Sequence, residues 1–343
     1  MNHPQAENSK PLLEVRDLHT HVFTRRGVVR AVNGVSFQVH PGQTLGLVGE
    51  SGSGKTMTCL SILQLLPRGA RIVSGHIALQ GRDLTRLSAP EMERVRGKHI
   101  GMVLQNAMAA LDPVFTIGVQ VGEPLVVHDR FSWKAALRRV VELLRMVKVV
   151  APEIRIHNYP HELSGGMRQR VSSAAAIGCQ PSLLIADEPT TALDVTTQRQ
   201  YLDLLMELQA ATGMAIIFVT HDISLVGNMC DHIAVFYGGT VVEYGPRQQV
   251  LTDPHHPYTA ALLQSIPQLG EPRERLLSIA GDPPDLGRLP AGCPFHPRCE
   301  VAQEPCTTGT PPPVFVLQDG RVVRCWLQES NHAGGAAGST KPE

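Results

Sequence analysis

The sequence GESGSGKT, residues 49–56, is the feature that most restricts how this chain can fold. It satisfies the pattern G-x-x-x-x-G-K-[ST], follows the apolar run TLGLV and precedes the helix-compatible run TMTCLSILQLL. In such a loop the glycines let backbone N–H groups turn inward around phosphate oxygens, and the helix N-terminus adds its positive end. A chance glycine-rich turn would not stand between a strand and a helix. The pattern therefore predicts an α/β domain that binds a nucleotide.

Every residue of this phosphate loop is a candidate nucleotide contact. Lys55 is expected to reach the β- and γ-phosphates, and the Thr56 hydroxyl is expected to bind Mg²⁺. The predicted nucleotide contacts in the loop are Gly49, Glu50, Ser51, Gly52, Ser53, Gly54, Lys55 and Thr56.

Charge and hydropathy exclude several classes of protein. Lys+Arg 31 equals Asp+Glu 31 in the 343 residues, so nothing in the charge balance favours a nucleic-acid partner. The first ten residues, MNHPQAENSK, are polar and lack the apolar segment of a secretory signal. No apolar run approaches the roughly 18 residues that a membrane-spanning helix needs. We therefore expect a cytoplasmic chain.

Two further apolar runs predict the centre of a parallel sheet. The runs LLIAD at residues 183–187 and AIIFVT at residues 215–220 are continuously apolar and end at polar residues. Strands covered on both faces read in this way. Between the two runs, leucines recur at helical spacing. A Gly-Gly pair within IAVFYGGTVVEYG indicates a hairpin, which predicts some antiparallel pairing near the end of the sheet.

The segment LLIADEP places two carboxyl groups at the rim of this sheet. Asp187 is expected to hold Mg²⁺ through water, and Glu188 is placed to polarise a water molecule for in-line attack on the γ-phosphate. Read alone, the two acids could be a helix N-cap. Together with the phosphate loop they predict hydrolysis.

The segment LSGGMRQR, residues 163–170, predicts a second anion site far from the first in sequence. Ser164 can begin a helix, because apolar residues including Val171 and Ala174 follow at helical spacing. The Ser164 hydroxyl and the N–H groups of Gly165 and Gly166 would then face an anion at the helix N-terminus.

Together with TALD and VTHD, these motifs resemble the nucleotide-binding subunit of an ABC transporter over residues 12–257. The resemblance implies an ABC-type P-loop NTPase with an antiparallel β subdomain, a helical subdomain that carries LSGG, and a small Cys-rich C-terminal extension. It also implies that two subunits pack head to tail around two ATP molecules. The LSGG loop would serve the ATP on the phosphate loop of the other subunit, which explains two anion sites in one chain.

The same resemblance assigns roles to four more residues. Gln105 would sense Mg²⁺ and the γ-phosphate and face the membrane subunit, and Asp194 would bridge the two subunits. His221 would contact the γ-phosphate and orient Glu188 as a third catalytic residue. Phe23 would lie under the adenine ring, with packing in the core as the alternative. The segment NAMAALDP after Gln105 departs from the pattern of related importers, which affects the expected docking surface for the membrane subunit.

Seven cysteines divide into two groups. Three are scattered among apolar neighbours, where a buried hydrophobic role is expected: Cys59, Cys179 and Cys230. Four crowd the C-terminal end with spacing C-x5-C-x6-C-x18-C: Cys293, Cys299, Cys306 and Cys325. In a reducing cytoplasm this group favours a metal over disulfides, and its spacing is not that of a zinc ribbon.

The C-terminal part of the sequence restricts the resemblance to a smaller group of ABC transporter ATPases. HPYTAALL, a proline-rich linker and the cysteine group resemble the ATPases of dipeptide, oligopeptide and nickel importers. That resemblance implies a four-iron [4Fe–4S] cluster on the four cysteines, structural and remote from ATP. Zinc and metal-free thiols are the alternatives, and His296 is a further candidate ligand or simply a loop residue.

The predicted organisation is a nucleotide-binding domain at residues 1–262, a Cys-rich region at residues 263–330 and a disordered tail at residues 331–343. The predicted function is hydrolysis of ATP, with Mg²⁺, to drive uptake of peptides or similar solutes; import of a nickel or other metal chelate is the alternative. The expected partners are two transmembrane permeases, a second ATP-binding subunit (paralogous or identical) and an extracytoplasmic solute-binding protein. The expected location is the cytoplasmic face of a bacterial inner membrane.

ATPases outside transport use the same motifs. A DNA-repair or chromosome-organising ATPase would insert a long coiled coil or zinc module before the LSGG loop, and the sequence there has no heptads. A translation-associated ATPase usually has two nucleotide domains in one chain. A degenerate, binding-only subunit is disfavoured because Glu188 and His221 are both present.

Overall fold

The computed structural model describes residues 10–106, 110–266 and 279–329. The described strands are β1 (Leu13–Thr24), β2 (Gly27–Val39), β3 (Thr44–Val48), β4 (Ala70–Leu79), β5 (Arg82–Asp83), β6 (Ile100–Val103), β7 (Leu183–Asp187), β8 (Ala215–Thr220), β9 (His232–Tyr237), β10 (Thr240–Pro246), β11 (Phe315–Val316) and β12 (Val322–Val323).

The described α-helices are α1 (Lys55–Ile62), α2 (Ala89–Val95), α3 (Ile117–Asp129), α4 (Trp133–Met146), α5 (Pro152–Arg155), α6 (Gly165–Ile177), α7 (Val195–Thr212), α8 (Val226–Met229), α9 (Arg247–Thr252), α10 (Pro257–Gln264) and α11 (Glu304–Thr307). Among the described residues, no helix combines the length and the apolar character needed to cross a membrane.

The larger sheet has the strand order β11-β12-β10-β9-β3-β8-β7-β6. Strands β6, β7, β8, β3 and β9 pair in parallel, and β10, β12 and β11 continue the sheet in antiparallel pairing. The predicted runs at 183–187 and 215–220 are β7 and β8, and every residue in both is buried. The predicted hairpin joins β9 to β10 through Gly238 and Gly239, which both have positive φ, as a tight hairpin requires.

The smaller sheet is antiparallel, with the order β2-β1-β4-β5. Its inner face shares a hydrophobic cluster with one face of the larger sheet, including Leu13, Val35 and Ile77 from the small sheet with Leu47 and Ile217 from the large one. Helix α1 packs against both sheets. The predicted antiparallel β subdomain is confirmed.

A helical layer covers the other face of the larger sheet. Helices α3, α4 and α6 pack on one another, and α6 also packs against β6 and α7. Helix α4 shows why: Val140, Leu143 and Leu144 are buried on one face while its arginines point outward. This layer is the predicted helical subdomain, and the N-terminus of α6 is exposed at its surface.

The C-terminal region is built onto the larger sheet. Strand β12 pairs with β10 through Val322 and Val323, and β11 pairs with β12. The region therefore shares a sheet with the nucleotide-binding domain instead of forming a sheet of its own. The predicted tail at residues 331–343 lies outside the described residues, and the boundary at 262 stays a prediction.

Parallel pairing brings the ends of three strands to one edge. Strand β3 runs into the phosphate loop, β7 ends at Asp187 and β8 ends just before His221. Because parallel strands place their carboxyl ends together, the sheet collects three sequence motifs in one place.

Candidate nucleotide site

Two glycines shape the phosphate loop. Gly49 has a φ of 154°, and a Cβ there would lie 2.2 Å from the Phe236 carbonyl oxygen. Gly54 has a φ of 105°, and a Cβ there would lie 2.4 Å from the Ala31 carbonyl oxygen. Any side chain at either position would collide with backbone. The loop is therefore pressed against β9 and β2, with its path fixed from outside.

Lys55 lies inside the loop that it follows. Its Nζ donates to the carbonyl oxygens of Gly49 and Glu50 at 2.6 and 2.9 Å and to the Ser53 hydroxyl at 3.3 Å. The residue is only 4% exposed, and burial lowers the pKa of its ammonium, although the carboxylates of Glu188 and Asp187 oppose that shift. These contacts place a cation at the centre of the loop, where phosphate oxygens are expected.

Asp187 and Thr56, both predicted ligands of Mg²⁺, lie side by side. The Thr56 hydroxyl donates to Asp187 Oδ1 at 3.1 Å. Burial raises the pKa of the Asp187 carboxyl, and the neighbouring Glu188 adds to the rise. A divalent cation bound to these hard oxygen ligands would offset that burial and favour the ionised carboxylate.

Glu188 is the meeting point of the three predicted catalytic residues. Its Oε2 accepts a hydrogen bond from Gln105 Nε2 at 3.0 Å and lies 3.2 Å from His221 Nδ1. The Thr191 hydroxyl also donates to this oxygen, at 3.1 Å. The backbone of Glu188 has a φ of 44°, a left-handed conformation that is costly for a residue with a side chain. This backbone conformation orients the Glu188 carboxylate, and the three side chains of Gln105, His221 and Thr191 hold it in position.

The LSGG loop begins α6 as predicted. Ser164 is the N-cap, and its hydroxyl accepts a hydrogen bond from the Met167 N–H at 3.3 Å. Ser164 and Gly165 are exposed, and Gly166 is partly exposed. The nearby arginines turn away: Arg168 donates to the Leu163 carbonyl at 2.7 Å, and Arg170 donates to the Val147 carbonyl at 3.1 Å. The loop therefore offers an open helix N-terminus without cationic side chains directed outward.

Comparison with known proteins decides the family. The ABC transporter family matches residues 32–191, and the oligopeptide/dipeptide transporter C-terminal region matches residues 242–306. The dipeptide transport ATP-binding protein DppD of Bacillus subtilis is 44% identical over 93% of this chain and 95% of that protein. The oligopeptide transport ATP-binding protein OppD of Bacillus subtilis is 46% identical over 92% of this chain and 88% of that protein.

The chain belongs to the ABC transporter ATP-binding family. Its branch is the one with the oligopeptide/dipeptide C-terminal region. Among solved structures, the dimeric post-hydrolysis state of the ATP-binding cassette MJ0796 bound to ADP and Pi resembles it with a TM-score of 0.62. That structure is 26% identical and covers 68% of this chain and 98% of its own. The predicted fold is confirmed, and the chain is an ATPase of the ABC type.

Two other predicted residues of this ABC ATPase are accessible. Asp194 is exposed and caps α7, where its carboxylate accepts from the N–H and the hydroxyl of Thr197 at 3.0 and 2.7 Å. Phe23 is 40% exposed on β1, so it is not a core residue. The guanidinium of Arg71 lies 4.3 Å above the Phe23 ring and covers one face. The assigned roles of both residues stay predictions.

Sequence analysis missed two residues that hold the phosphate loop. The Tyr258 hydroxyl accepts a hydrogen bond from the Glu50 N–H at 2.9 Å. The Arg298 guanidinium donates to both carboxylate oxygens of Glu50 at 2.6 and 2.9 Å. Tyr258 lies in the segment HPYTAALL, and Arg298 lies between Cys293 and Cys299, both of which the sequence marks for other reasons. The Cys-rich region thus contacts the phosphate loop through Arg298, and the distance of the proposed cluster from ATP stays a prediction.

The two cysteine groups behave differently. Cys59, Cys179 and Cys230 are buried at 0%, 4% and 2% exposure, which confirms their expected role as small hydrophobic residues. The C-terminal group consists of free thiols, three of them buried and one partly exposed. Burial raises the pKa of Cys325 to about 12, and the other three thiols of the group add to that rise. The four side chains therefore lie within electrostatic range of one another.

The thiols of this group are not arranged around a single ion. Within the described residues no three or more His, Cys, Asp or Glu side chains are placed so that they could hold a metal ion. His296 lies in a short 3₁₀ turn, with its Nδ1 2.9 Å from the Cys293 carbonyl oxygen. That position matches the loop role considered for His296, and the geometry does not support the iron–sulfur prediction.

Proposed function

We propose that this ABC ATPase drives the uptake of peptides through a membrane importer. The observation that carries the catalytic part is the arrangement around Glu188, where Gln105 and His221 both contact one carboxylate oxygen. This oxygen lies next to the strand end that carries Asp187 and, through it, Thr56 of the phosphate loop. A base, its orienting groups and a metal site are thereby joined.

The residues of the chain divide the work of hydrolysis. Lys55 exchanges the loop carbonyls that it now contacts for the β- and γ-phosphate oxygens of ATP. Thr56 and Asp187 would hold Mg²⁺, which would neutralise charge on the phosphates. Glu188 accepts a hydrogen bond from the attacking water and so polarises it, while Gln105 and His221 keep the carboxylate aimed. Phe23 offers the uncovered face of its ring to adenine.

A complete site needs two chains. The exposed LSGG loop, formed by Ser164, Gly165 and Gly166, supplies N–H groups to the γ-phosphate held by the other chain. Asp194 lies at the bridge between them. The dimeric form of MJ0796 bound to ADP and Pi supports an assembly of two chains. The second chain is a paralogous ATP-binding subunit or another copy.

The names of the relatives support peptides as the transported solute. The compared proteins of Bacillus subtilis are named as dipeptide and oligopeptide transport subunits, and this chain shares their C-terminal region. We infer that it works with two transmembrane permeases and an extracytoplasmic solute-binding protein, on the cytoplasmic face of the membrane. Residues 1–262 form the nucleotide-binding domain of this proposal and residues 263–330 its Cys-rich region.

Uptake of labelled peptides tests this function. Cells that carry the chain with its permeases should accumulate labelled di- and oligopeptides, and Glu188→Gln should abolish the accumulation while the protein level stays unchanged. Peptide uptake that is unaffected by Glu188→Gln, or uptake of nickel chelate in its place, would contradict the proposal.

We also propose that Cys293, Cys299, Cys306 and Cys325 hold an iron–sulfur cluster that staples the C-terminal region. Four free thiols within electrostatic range of one another support this. The thiols must turn toward one another, and the raised pKa of Cys293 and of Cys325 means that binding at these two thiols releases protons.

Iron analysis tests the cluster. Protein purified without oxygen should contain iron and absorb near about 400 nm. Cys325→Ala should lose the iron, whereas Cys179→Ala, which removes a buried thiol elsewhere, should keep it. Stoichiometric zinc without iron, or a folded chain without metal, would contradict the cluster.

A further inference from the structure

The Arg298 side chain is buried against the phosphate loop. It is 5% exposed, and its two terminal nitrogens donate to the two carboxylate oxygens of Glu50 at 2.6 and 2.9 Å. This bond to Glu50 is the main cause that raises the pKa of Arg298 above its ordinary value. A paired fork of this kind fixes both position and orientation, unlike a single ionic contact.

Other groups hold the guanidinium in place. Its Nε donates to the Ala280 carbonyl at 2.9 Å, and Nη1 also lies 3.3 Å from the Tyr237 hydroxyl. The Arg298 side chain therefore has partners on several sides, and it cannot swing away from Glu50 without breaking several hydrogen bonds.

The backbone that carries Arg298 belongs to the cysteine group. The turn runs from Cys293 to Cys299, with the His296 N–H bonded to the Cys293 carbonyl at 3.0 Å and the Cys299 N–H bonded to the His296 carbonyl at 3.2 Å. Phe295 anchors the turn: it is 2% exposed, and its ring centre lies 5.1 Å from that of Tyr237. The conformation of this turn decides where the guanidinium lies.

Glu50 is held at each of its polar groups. Its N–H donates to the Tyr258 hydroxyl, its carbonyl accepts from Lys55, and its carboxylate accepts from Arg298. Without Arg298 a carboxylate would remain unpaired beside a loop that binds phosphate. It would repel the nucleotide, and the loop would lose one of its three anchors.

We propose that Arg298 is a positioning residue for ATP. It acts through Glu50: it neutralises the carboxylate and keeps the phosphate loop in its binding shape, so the Cys-rich turn sets the affinity for nucleotide. The inference rests on the proposed binding of ATP by the phosphate loop. It does not depend on which metal, if any, the cysteines hold.

Titration of the full-length chain with Mg-ATP tests the inference. Arg298→Ala should weaken binding about tenfold, the scale for losing a charge-assisted hydrogen bond. Arg298→Ala combined with Glu50→Gln should recover most of that loss, because no unpaired carboxylate remains. Arg298→Lys, which keeps the charge but not the fork, should fall between wild type and Arg298→Ala, and it serves if the alanine variant fails to fold.

Arg321 provides the matched control. Its side chain is also 5% exposed in the C-terminal region and pairs with the carboxylates of Asp253 and Asp319, away from the phosphate loop. Arg321→Ala should lower thermal stability yet leave the affinity for ATP within about twofold. Equal weakening by Arg321→Ala, no recovery by Glu50→Gln, or wild-type binding by Arg298→Ala would overturn the inference. Normal ATP binding by Lys55→Ala would instead overturn the assignment of the loop itself.

Discussion

The phosphate loop and the LSGG loop differ in how completely their own chain surrounds them. In the phosphate loop the lysine, the glutamate and two glycines are fixed by contacts from β2, β9, α10 and the Cys-rich turn. In the LSGG loop, Ser164 and Gly165 are exposed, and the two nearby arginines donate to the backbone carbonyls of Leu163 and Val147. A loop whose conformation is fixed by contacts within its own chain can bind a ligand alone. An exposed loop needs a second chain that brings the ligand to it.

The difference explains why one subunit carries two loops for a single kind of ligand. Preorganised N–H groups bind ATP without reordering, which supports affinity in the single chain. The LSGG loop is preorganised by its N-cap, and in the proposed dimer it would gain phosphate contacts from the ATP of the second chain. Hydrolysis would then depend on assembly, whereas ATP binding would not.

The largest effect on the rate of hydrolysis should come from replacing the Glu188 carboxylate, which lies beside the phosphate loop. Glu188→Gln should still bind ATP, because the phosphate contacts remain, but hydrolysis in the assembled complex should fall about 10²–10⁴-fold, since the water loses its base. Steady-state phosphate release measures this. A rate near that of the wild type would mean that Glu188 is not the base.

Lysine and serine variants should separate the two loops. Lys55→Ala should weaken ATP binding by the single chain about tenfold or more, because the phosphates lose their contact with a buried cation. Ser164→Ala should leave that binding unchanged, and it should impair hydrolysis only in the dimer.

A heterodimer sharpens this test. Ser164→Ala paired with a partner that lacks its own phosphate-loop lysine damages one composite site twice and leaves the site of Lys55 whole. Nucleotide trapping should then show one working site. Equal damage to both sites would break the head-to-tail arrangement.

Glycine substitutions in the two loops should differ in their effect on the free energy of unfolding. Gly54→Ala should cost about 1–3 kcal/mol in the free energy of unfolding, because its φ is left-handed and its Cβ would meet the Ala31 carbonyl. At Gly165 a Cβ would meet nothing within 4 Å, so Gly165→Ala should be neutral or stabilise by up to about 1 kcal/mol. Urea unfolding of both variants measures the difference, and similar losses would contradict it.

The smallest expected effect is a loss of stability at low pH. His256 is buried, burial lowers its pKa from 6.5 to about 3, and its Nδ1 accepts from the Tyr258 N–H. Because the unfolded chain takes up a proton below pH 6.5 and the folded chain does not, stability is lost as pH falls through that range. Between pH 7.5 and 5.5 we expect a loss of about 1 kcal/mol from this residue.

Variants at residue 256 check this loss. His256→Asn removes the titrating group and keeps a capping side chain, so its unfolding free energy should change less between the same two pH values. An identical pH dependence in both proteins would exclude His256 as the source.

Sequence analysis predicted the elements that have local signals. Strands β7 and β8, the β9–β10 hairpin and the Ser164 cap follow from runs and turn residues a few positions long. The motif residues Gln105, Glu188 and His221 were expected near one another through the family resemblance, and they are.

Contacts between distant segments had no such signal. Arg298 and Glu50 are 248 positions apart, and no periodicity in either segment points to the other. The cysteines of the segment GCPFHPRC predict a metal site, and nothing in that segment distinguishes its arginine. The pairing of β12 with β10 was also missed, because two-residue strands show no alternation. Long-range pairs of this kind are set by packing of the whole chain, which a local pattern does not record.

The short hairpin of β11 and β12 also protects the chain against self-association. It occupies the side of β10 that would otherwise present unpaired backbone N–H and C=O groups along the edge of the remaining six strands. Exposed margins of this type recruit strands from other molecules. A chain cut before Phe315 would therefore tend to self-associate and precipitate, and its insolubility would say nothing about nucleotide or metal.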